Sequence, residues 1–350
     1  MSLGALLGSN AFAVEFKDAQ VAATEGRYDD VVAILTTILD RGDLQGYAEV
    51  VGYSNRGVAY SLLKQYPQAK RDLLHAIELD PDHLLTINHL GIMAQHIDGD
   101  AQAAAIWFRR AADQGYPSSQ TNLATLYRDG KGVARDYTQA FRLYKLAADQ
   151  NYVMSYVPLG ELYMQGRGVN MDVKTGLEWL YKGVDEGVVS AHYHLGKAHE
   201  RGWGQTQNYA RAADEYYTAA MQGDGEAQNA LGYLYRRGLG VKQDFTKAAE
   251  WYQLAADQQV VQATNRLALL LAACPNQLVC NGALALELAQ SAVEKERNAT
   301  NLDSLAAAQA RVGDYEVAID SIEEILRMEG RNSRYASRLS FYQARRPYKL

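Results

Sequence analysis

Apolar residues recur at spacings of three and four along most of this 350-residue chain. Such spacing places them on one face of an α-helix and predicts amphipathic helices joined by short polar turns. Many turns hold two glycines with one residue between them, and successive pairs begin 36 residues apart, at Gly130, Gly166, Gly202 and Gly238. A fixed period of this length is typical of stacked copies of one supersecondary unit. The pattern therefore predicts a repeat protein and argues against a single phosphate-binding loop.

Other positions follow the same period and predict how each unit packs. A small residue such as Gly232 lies in the first helix, and a bulky residue such as Tyr252 lies in the second. Glycine inside a helix costs about 1 kcal/mol relative to alanine, so we expect it to let the aromatic ring approach closely. The glycine pairs should supply the positive-φ positions that end the first helix. The expected N-caps of the second helices are Asp136, Asp172, Asn208 and Asp244.

The stretch "LGYLYRRGLGVKQDFTKAAEWYQLAADQ" resembles the Sel-one-like (Sel1) repeat, a relative of the tetratricopeptide repeat with a longer turn between its helices. Four units within residues 119–261 follow this pattern. The stretch "YSNRGVAYSLLKQYPQAKRDLLHAIELDP" looks like an ordinary tetratricopeptide repeat, with Gly57, Tyr60 and Pro81 in signature positions. Residues 84–115 form a hybrid of the two kinds.

The resemblance implies an all-α fold, a right-handed α-solenoid of about nine stacked antiparallel helix pairs plus a C-terminal capping helix. We divide the chain into residues 1–13 (a signal-peptide remnant or a disordered start), 14–118 (tetratricopeptide-like repeats), 119–261 (four Sel1-like repeats) and 262–350 (C-terminal tetratricopeptide-like repeats and the capping helix). Almost the whole chain is assigned to repeats. We therefore predict no separate catalytic domain, no catalytic residues and no cofactor.

The net charge of the chain and the positions of its histidines exclude several classes of function. The formal net charge of −6 argues against general nucleic-acid binding, and no apolar run reaches the roughly 18 residues of a transmembrane helix. His192, His194 and His199 are the best candidates for a metal site. Positions two apart lie on different faces of a helix, and His199 occupies the place of a buried Tyr in the repeat. We therefore predict packing roles for these residues and no bound metal.

Two features bear on the compartment. Ala11-Phe12-Ala13 has the small-x-small form of a signal-peptidase site, without the basic segment of a complete signal peptide. Cys274 and Cys280 lack zinc-site spacing and lie close enough in sequence to form a disulfide, which needs an oxidising environment. We predict a periplasmic or secreted protein. The alternative is a cytoplasmic protein with two reduced thiols.

In tetratricopeptide-like repeats, ligand contacts often come from the position after the small residue of the first helix and from the last turn of that helix, on the concave face. Carried onto this chain, the resemblance implies these partner-binding residues: Arg128, Asp129, Glu161, Tyr193, Lys197, Glu200, Arg201, Asn229, Tyr233, Arg236 and Arg237. The set is more basic than acidic in an acidic chain, which favours an acidic peptide or glycan. The alternative is a set of ordinary solvated side chains.

These observations predict a non-enzymatic scaffold or adaptor that binds a partner protein or peptide in its concave groove. In bacteria, proteins with such repeats resemble envelope or secretion assembly factors, so we expect an association with the cell envelope. The alternative function is a regulatory subunit that docks on a cell-envelope enzyme and activates or localises it.

Overall fold

The computed structural model describes residues 16–274, 279–330 and 333–349. These residues contain nineteen α-helices and no β-strand, which confirms the all-α prediction. Contacts divide the chain between Gly176 and Leu177 into two compact units, called unit 1 and unit 2 below. The Ala11-Phe12-Ala13 motif lies outside the described residues.

Unit 1 is built from consecutive antiparallel helix pairs. Its helices are α1 (Lys17–Thr24), α2 (Tyr28–Asp40), α3 (Tyr47–Leu62), α4 (Tyr66–Leu79), α5 (Leu84–His96), α6 (Ala101–Ala112), α7 (Pro117–Asp129), α8 (Tyr137–Asp149) and α9 (Tyr156–Gln165). A 3-10 turn at Val153–Ser155 precedes α9, and α10 (Val173–Asp185) begins at the end of this unit. The pairs α1·α2, α3·α4, α5·α6 and α7·α8 are in contact, and each stacks on the element that follows it.

Unit 2 repeats this arrangement. Its helices after α10 are α11 (Val189–Arg201), α12 (Tyr209–Met221), α13 (Gly225–Arg237), α14 (Phe245–Asp257), α15 (Val261–Ala272), α16 (Gly282–Lys295), α17 (Ala299–Val312), α18 (Tyr315–Glu329) and α19 (Ser333–Gln343). Each odd-numbered helix from α11 to α17 contacts the even-numbered helix that follows it, and α19 packs on α18. The order of eighteen helices followed by α19 agrees with the predicted nine pairs and a capping helix.

The glycine turns have the backbone conformation that the sequence predicts. Both glycines of all four pairs have φ between 62° and 73°. The second glycine also makes a close contact, because a Cβ added at Gly132 would lie 2.1 Å from the Ala101 carbonyl oxygen. At Gly240 the same atom would lie 2.2 Å from the backbone of Tyr209. The second glycine therefore lets the turn rest on the second helix of the preceding pair.

The small residues of the first helices pack against aromatic rings, as predicted. A Cβ at Gly196 would lie 2.6 Å from the ring of Tyr216, and a Cβ at Gly232 would lie 2.7 Å from the ring of Tyr252. Both rings are fully buried. The predicted N-caps are also confirmed. Backbone N–H groups at the start of the second helices donate to the side chains of Asp136, Asp172, Asn208 and Asp244.

The C-terminal end of unit 2 holds a buried ion pair. Arg338 of α19 donates a hydrogen bond to Asp303 of α17, and the two side chains are 4% and 2% exposed. The guanidinium carbon of Arg338 also lies 4.3 Å from the centre of the Tyr348 ring. These contacts connect the last helix and the C-terminal segment to the core.

Candidate partner-binding site

In unit 1, the end of α7 forms a corner in which the arginine has carboxylate neighbours. Arg128 Nε donates to Asp129 Oδ1 over 2.8 Å, and the two side chains are 34% and 29% exposed. The Arg128 hydrogen bond holds the pKa of Asp129 below its ordinary value. The hydroxyls of Thr125 and Tyr144 are hydrogen-bonded to each other at 2.8 Å. Glu161 of α9 adds a second negative charge near Arg128.

In unit 2, the corner at the end of α11 is also satisfied internally. The Tyr216 hydroxyl donates to Glu200 over 2.6 Å, and burial followed by this hydrogen bond raises the pKa of Tyr216. The Lys197 ammonium lies 5.9 Å from the centre of the Tyr193 ring. Arg201 is exposed, and its guanidinium lies over the Trp203 ring at 5.2 Å.

The end of α13 carries a different arrangement, which we call the Arg236 cluster: Tyr233, Arg236, Tyr252 and Arg266. The guanidinium carbons of Arg236 and Arg266 lie 5.7 and 5.5 Å from the centre of the Tyr233 ring. Arg266 comes from α15 and donates to Asn229 Oδ1 over 2.9 Å. Two guanidiniums from neighbouring first helices are therefore held against one aromatic ring.

Within the described residues, no carboxylate forms an ion pair with either guanidinium of the Arg236 cluster. The Tyr252 hydroxyl is buried next to Arg236, whose side chain is close enough to interact with it, although no hydrogen bond of regular geometry joins the hydroxyl to a described residue. Burial raises the pKa of Tyr252, and the positive charges of Arg266 and Arg236 oppose this rise. The cluster thus combines two positive charges without a paired carboxylate, which suits an anionic group.

The structure separates the predicted site residues into different environments. Arg128, Asp129 and Glu161 lie in unit 1, and the other eight lie in unit 2. Arg201 and Arg237 are exposed, whereas Lys197, Glu200, Tyr193, Tyr233 and Arg236 are half-buried. Asn229 differs from the prediction because it is only 3% exposed. Its side chain holds Arg266 in place and does not offer an open contact surface.

Sequence reasoning missed Arg266. It lies in α15, beyond the four Sel1-like repeats of residues 119–261, and the contact positions were carried over from the resemblance only within those repeats. Continuing the 36-residue register past residue 261 places Arg266 in the column of Ala230, two residues before the small residue Ala268, and this column is not one of the expected contact positions. The register therefore does not find the residue, because its contact with Tyr233 comes from tertiary packing.

The histidines have protein partners. His192 Nδ1 lies 2.7 Å from Glu215 Oε2, and Gln205 Nε2 donates to His199 Nδ1 over 2.8 Å. His199 is 3% exposed, and burial lowers its pKa. Across residues 16–274, 279–330 and 333–349, no group of three His, Cys, Asp or Glu side chains has the arrangement of a metal site.

The two cysteines are paired with each other. Cys274 and Cys280 are joined by a disulfide, with their Cα atoms 5.2 Å apart, and Cys274 is buried. The bond closes the segment between α15 and α16. In the described part of the chain, none of the helices combines the length and the apolar character needed to cross a bilayer.

Helix pairs with a 36-residue register define a helical-repeat protein, and comparison with known families identifies the repeats. Five segments match the Sel1 repeat, at residues 89–116, 117–152, 158–188, 189–224 and 225–260, and residues 50–83 match the tetratricopeptide repeat. The chain therefore carries five Sel1 repeats, preceded by one tetratricopeptide repeat. The predicted resemblance is confirmed, and the hybrid segment counts as a fifth Sel1 repeat.

Solved structures support the same fold. A Sel1 repeat protein from Oxalobacter formigenes is 26% identical, with a TM-score of 0.61 over 70% of this chain and 98% of that chain. The protein c5321, a protective antigen present in uropathogenic Escherichia coli strains and displaying an SLR fold, is 24% identical, with a TM-score of 0.51 over 91% of this chain and 76% of that chain. Comparison with curated proteins found no match.

Proposed function

We propose that this protein is a non-enzymatic interaction scaffold and that unit 2 binds an acidic segment of a partner protein at the Arg236 cluster. The observation that carries the proposal is the pair of guanidiniums, Arg236 and Arg266, held against Tyr233 without a carboxylate among the described residues. Folds built from such repeats are typical of protein-interaction scaffolds.

The chemistry of the cluster favours a carboxylate. Two like charges on neighbouring helices repel each other, and an anion between them removes this repulsion. A guanidinium donates parallel hydrogen bonds to both oxygens of a carboxylate, so the interaction is directional as well as electrostatic. Arg237 is exposed beside Arg236 and adds positive charge at the rim. The overall charge of −6 disfavours non-specific attraction of acidic peptides.

A peptide pair tests this proposal. The probe is fluorescein-labelled Gly-Asp-Glu-Asp-Glu-Gly-amide, and its reference is the same peptide with Asn and Gln in place of Asp and Glu. Fluorescence anisotropy should show saturable binding of the acidic peptide alone, and 0.5 M salt should weaken it because charged contacts are screened. The double variant Arg236→Gln/Arg266→Gln should bind at least about tenfold more weakly, which corresponds to about 1.4 kcal/mol.

The matched control is Arg128→Gln in unit 1, where the arginine already has a carboxylate partner. This variant should keep the affinity of the wild type. Equal binding of the acidic and the amidated peptide would contradict the proposal, and so would unchanged affinity in the double variant. A pull-down from the native host with the wild type and the double variant then identifies the partner that depends on the cluster.

We also propose that the protein works in an oxidising compartment, the periplasm or the cell exterior. The Cys274–Cys280 disulfide supports this assignment because such bonds are rare in the reducing cytoplasm. Protein isolated from its native host should be alkylated at once and digested without reductant. Mass spectrometry should then detect the two cysteines in one linked species. Alkylated free thiols would favour the cytoplasmic alternative.

A further inference from the structure

Unit 1 contains a pocket of about 310 Å³ that lies apart from the Arg128 corner. It lies between the first half of α3, the loop that leads into α5, and the residue that precedes α7. Its polar and aromatic lining consists of Tyr47, Asn55, Asp80, Asp82, His83 and Tyr116. We call it the α5 pocket.

The charge of the α5 pocket is negative. Asp80 and Asp82 line it, and none of its described lining residues is Lys or Arg. Arg110 reaches Asp82 at 3.6 Å, where the Asp82 side chain is 74% exposed, so this pair is a weak surface interaction. The positive end of α5 at Leu84 opposes a cation, but it corresponds to about half a charge against two carboxylates.

Two buried groups add hydrogen-bond acceptors. Asn55 is 3% exposed, and among the described residues its Oδ1 has no hydrogen-bond partner. Thr86 donates its hydroxyl proton to Ser54, so at the 2.7 Å contact with His83 it accepts from Nδ1. Neutral His83 then carries its proton on Nδ1, and Nε2 is an acceptor. Burial lowers the pKa of His83, which favours this neutral form.

Aromatic rings complete the lining. The Tyr47 ring meets the His83 ring edge-on, with the ring centres 5.9 Å apart, and Tyr116 lines the same pocket. The faces of tyrosine rings attract cations. The pocket therefore presents carboxylates, neutral acceptors and aromatic rings. This combination favours a group that is positively charged and donates several hydrogen bonds.

We propose that the α5 pocket takes the ammonium or guanidinium group of a lysine or arginine side chain from a partner protein. We assign the cation to a side chain, and not to a free ion, because part of the pocket lining is apolar. This part comprises Val51, Leu84 and Leu85. Long basic side chains pack their methylene groups along such surfaces while the charged head reaches polar groups. This site differs in place and in ligand charge from the Arg236 cluster, and neither proposal depends on the other.

Nuclear magnetic resonance of protein labelled with ¹⁵N-histidine tests the proposal, with the His83 ring signal identified by its loss in His83→Gln. The probe is N-acetyl-lysine methylamide, and the uncharged reference is N-acetyl-norleucine methylamide. The lysine compound should shift the His83 signal to saturation and leave the His192 signal unchanged. The norleucine compound should cause no saturable shift. Equal shifts from both compounds would overturn the proposal.

Two double variants that remove the same charge distinguish binding in the α5 pocket from general attraction of a cation to an acidic protein. Asp80→Asn/Asp82→Asn keeps side-chain oxygen acceptors for the Asp82 N–H and the Gln114 amide, and it should weaken lysine binding at least about tenfold. Asp40→Asn/Asp113→Asn removes the same charge from exposed helix ends of unit 1 and should leave binding unchanged. Equal loss in both double variants would refute a specific site.

The source of the cation is tested with cadaverine and with the peptide acetyl-Ala-Ala-Lys-Ala-Ala-amide. The peptide should bind more tightly than cadaverine because its backbone adds contacts around the pocket. Tighter binding of cadaverine would show that the pocket takes free amines and would overturn the assignment to a partner's side chain.

Discussion

The ends of α7 and α13 occupy the same place in the repeat, three periods apart, yet they differ in how their charges are satisfied. Arg128 is followed by Asp129, which accepts its hydrogen bond, whereas Arg236 is followed by a second arginine, Arg237. This substitution, together with Glu161 near Arg128 and Arg266 near the Tyr233 ring, gives the two corners opposite charge balances. The scaffold geometry is shared, and the side-chain charges determine which corner can receive an anionic partner.

The hydroxyl groups of the two corners show the same contrast. Thr125 of α7 bonds the Tyr144 hydroxyl, whereas the corresponding position in α13 is Tyr233. The Tyr233 ring lies against Arg236 and Arg266, and the buried Tyr252 hydroxyl has the Arg236 side chain as its neighbour. Thr125 provides a hydrogen bond for the tyrosine hydroxyl of its own helix pair, whereas the Tyr233 ring in the same position provides none.

The units also differ in how deeply they bury an ion pair. In unit 1, Arg56 and Asp72 pair at 2.6 Å with side chains 13% and 11% exposed. In unit 2, the pair between Arg338 and Asp303 is only 4% and 2% exposed. Loss of one partner leaves an uncompensated charge, and the cost rises as water is excluded.

The largest expected effect follows from this difference. Asp303→Ala should lower the free energy of unfolding by about 3–5 kcal/mol, because it leaves the Arg338 guanidinium buried without its carboxylate. Asp72→Ala should cost less, since water reaches Arg56 more easily. Urea unfolding followed by circular dichroism measures both variants. A larger loss of unfolding free energy in Asp72→Ala would show that burial does not determine which ion pair contributes more to stability.

The next largest effect concerns the packing beneath the Arg236 cluster. Gly232→Val should lower the free energy of unfolding by about 1–3 kcal/mol through overpacking, because even a Cβ would lie 2.7 Å from the Tyr252 ring. Ala230→Val, a similar change at a half-buried position of the same helix, is the control and should cost less. Thermal denaturation compares the two variants. Equal stability of Gly232→Val and the wild type would contradict the close contact.

Exchanging charges between the two corners tests the comparison directly. Arg237→Asp should give Arg236 a neighbouring carboxylate like that of Arg128, and the affinity for the acidic hexapeptide should fall about tenfold, or about 1.4 kcal/mol. Asp129→Arg should free Arg128 and create new, weaker binding of the same peptide in unit 1. Anisotropy titrations at low and high salt measure both changes. Unchanged affinity in Arg237→Asp would show that the acidic peptide does not bind at the end of α13.

The smallest effect is a dependence on pH. The Arg128 hydrogen bond lowers the pKa of Asp129 from its ordinary value of 3.8. A lowered carboxyl pKa stabilises the fold above the unfolded value, and this contribution is lost as the pH falls through the folded pKa. The wild type should exceed Asp129→Asn in stability by less than about 1 kcal/mol at pH 7, because the pair is partly exposed.

Urea unfolding between pH 7 and pH 2.5 measures this difference. The stability gap between the wild type and Asp129→Asn should stay constant down to about pH 5 and then shrink. A gap that widens on acidification would mean that Asp129 is not stabilised as the carboxylate.

By itself, the sequence determined the repeat architecture. Helical periodicity, positive-φ glycines and Asp or Asn caps are local requirements, so they can be read from one segment at a time. The small residue opposite an aromatic residue could also be predicted, because Gly232 and Tyr252 belong to one helix pair. The same repetition placed Arg236 and Arg237 at the end of α13.

Only the tertiary structure decided which side chains meet between pairs. Asn229 looked like an exposed contact residue, but α15 covers it and Arg266 bonds to it. The close approach of Gly240 to Tyr209, and the pairing of Arg338 with Asp303, likewise join residues from different pairs. The α5 pocket depends on three separate segments of unit 1. The repeat period specifies where each position lies on its helix, whereas the side chains of neighbouring pairs determine which charges and hydrogen bonds are satisfied.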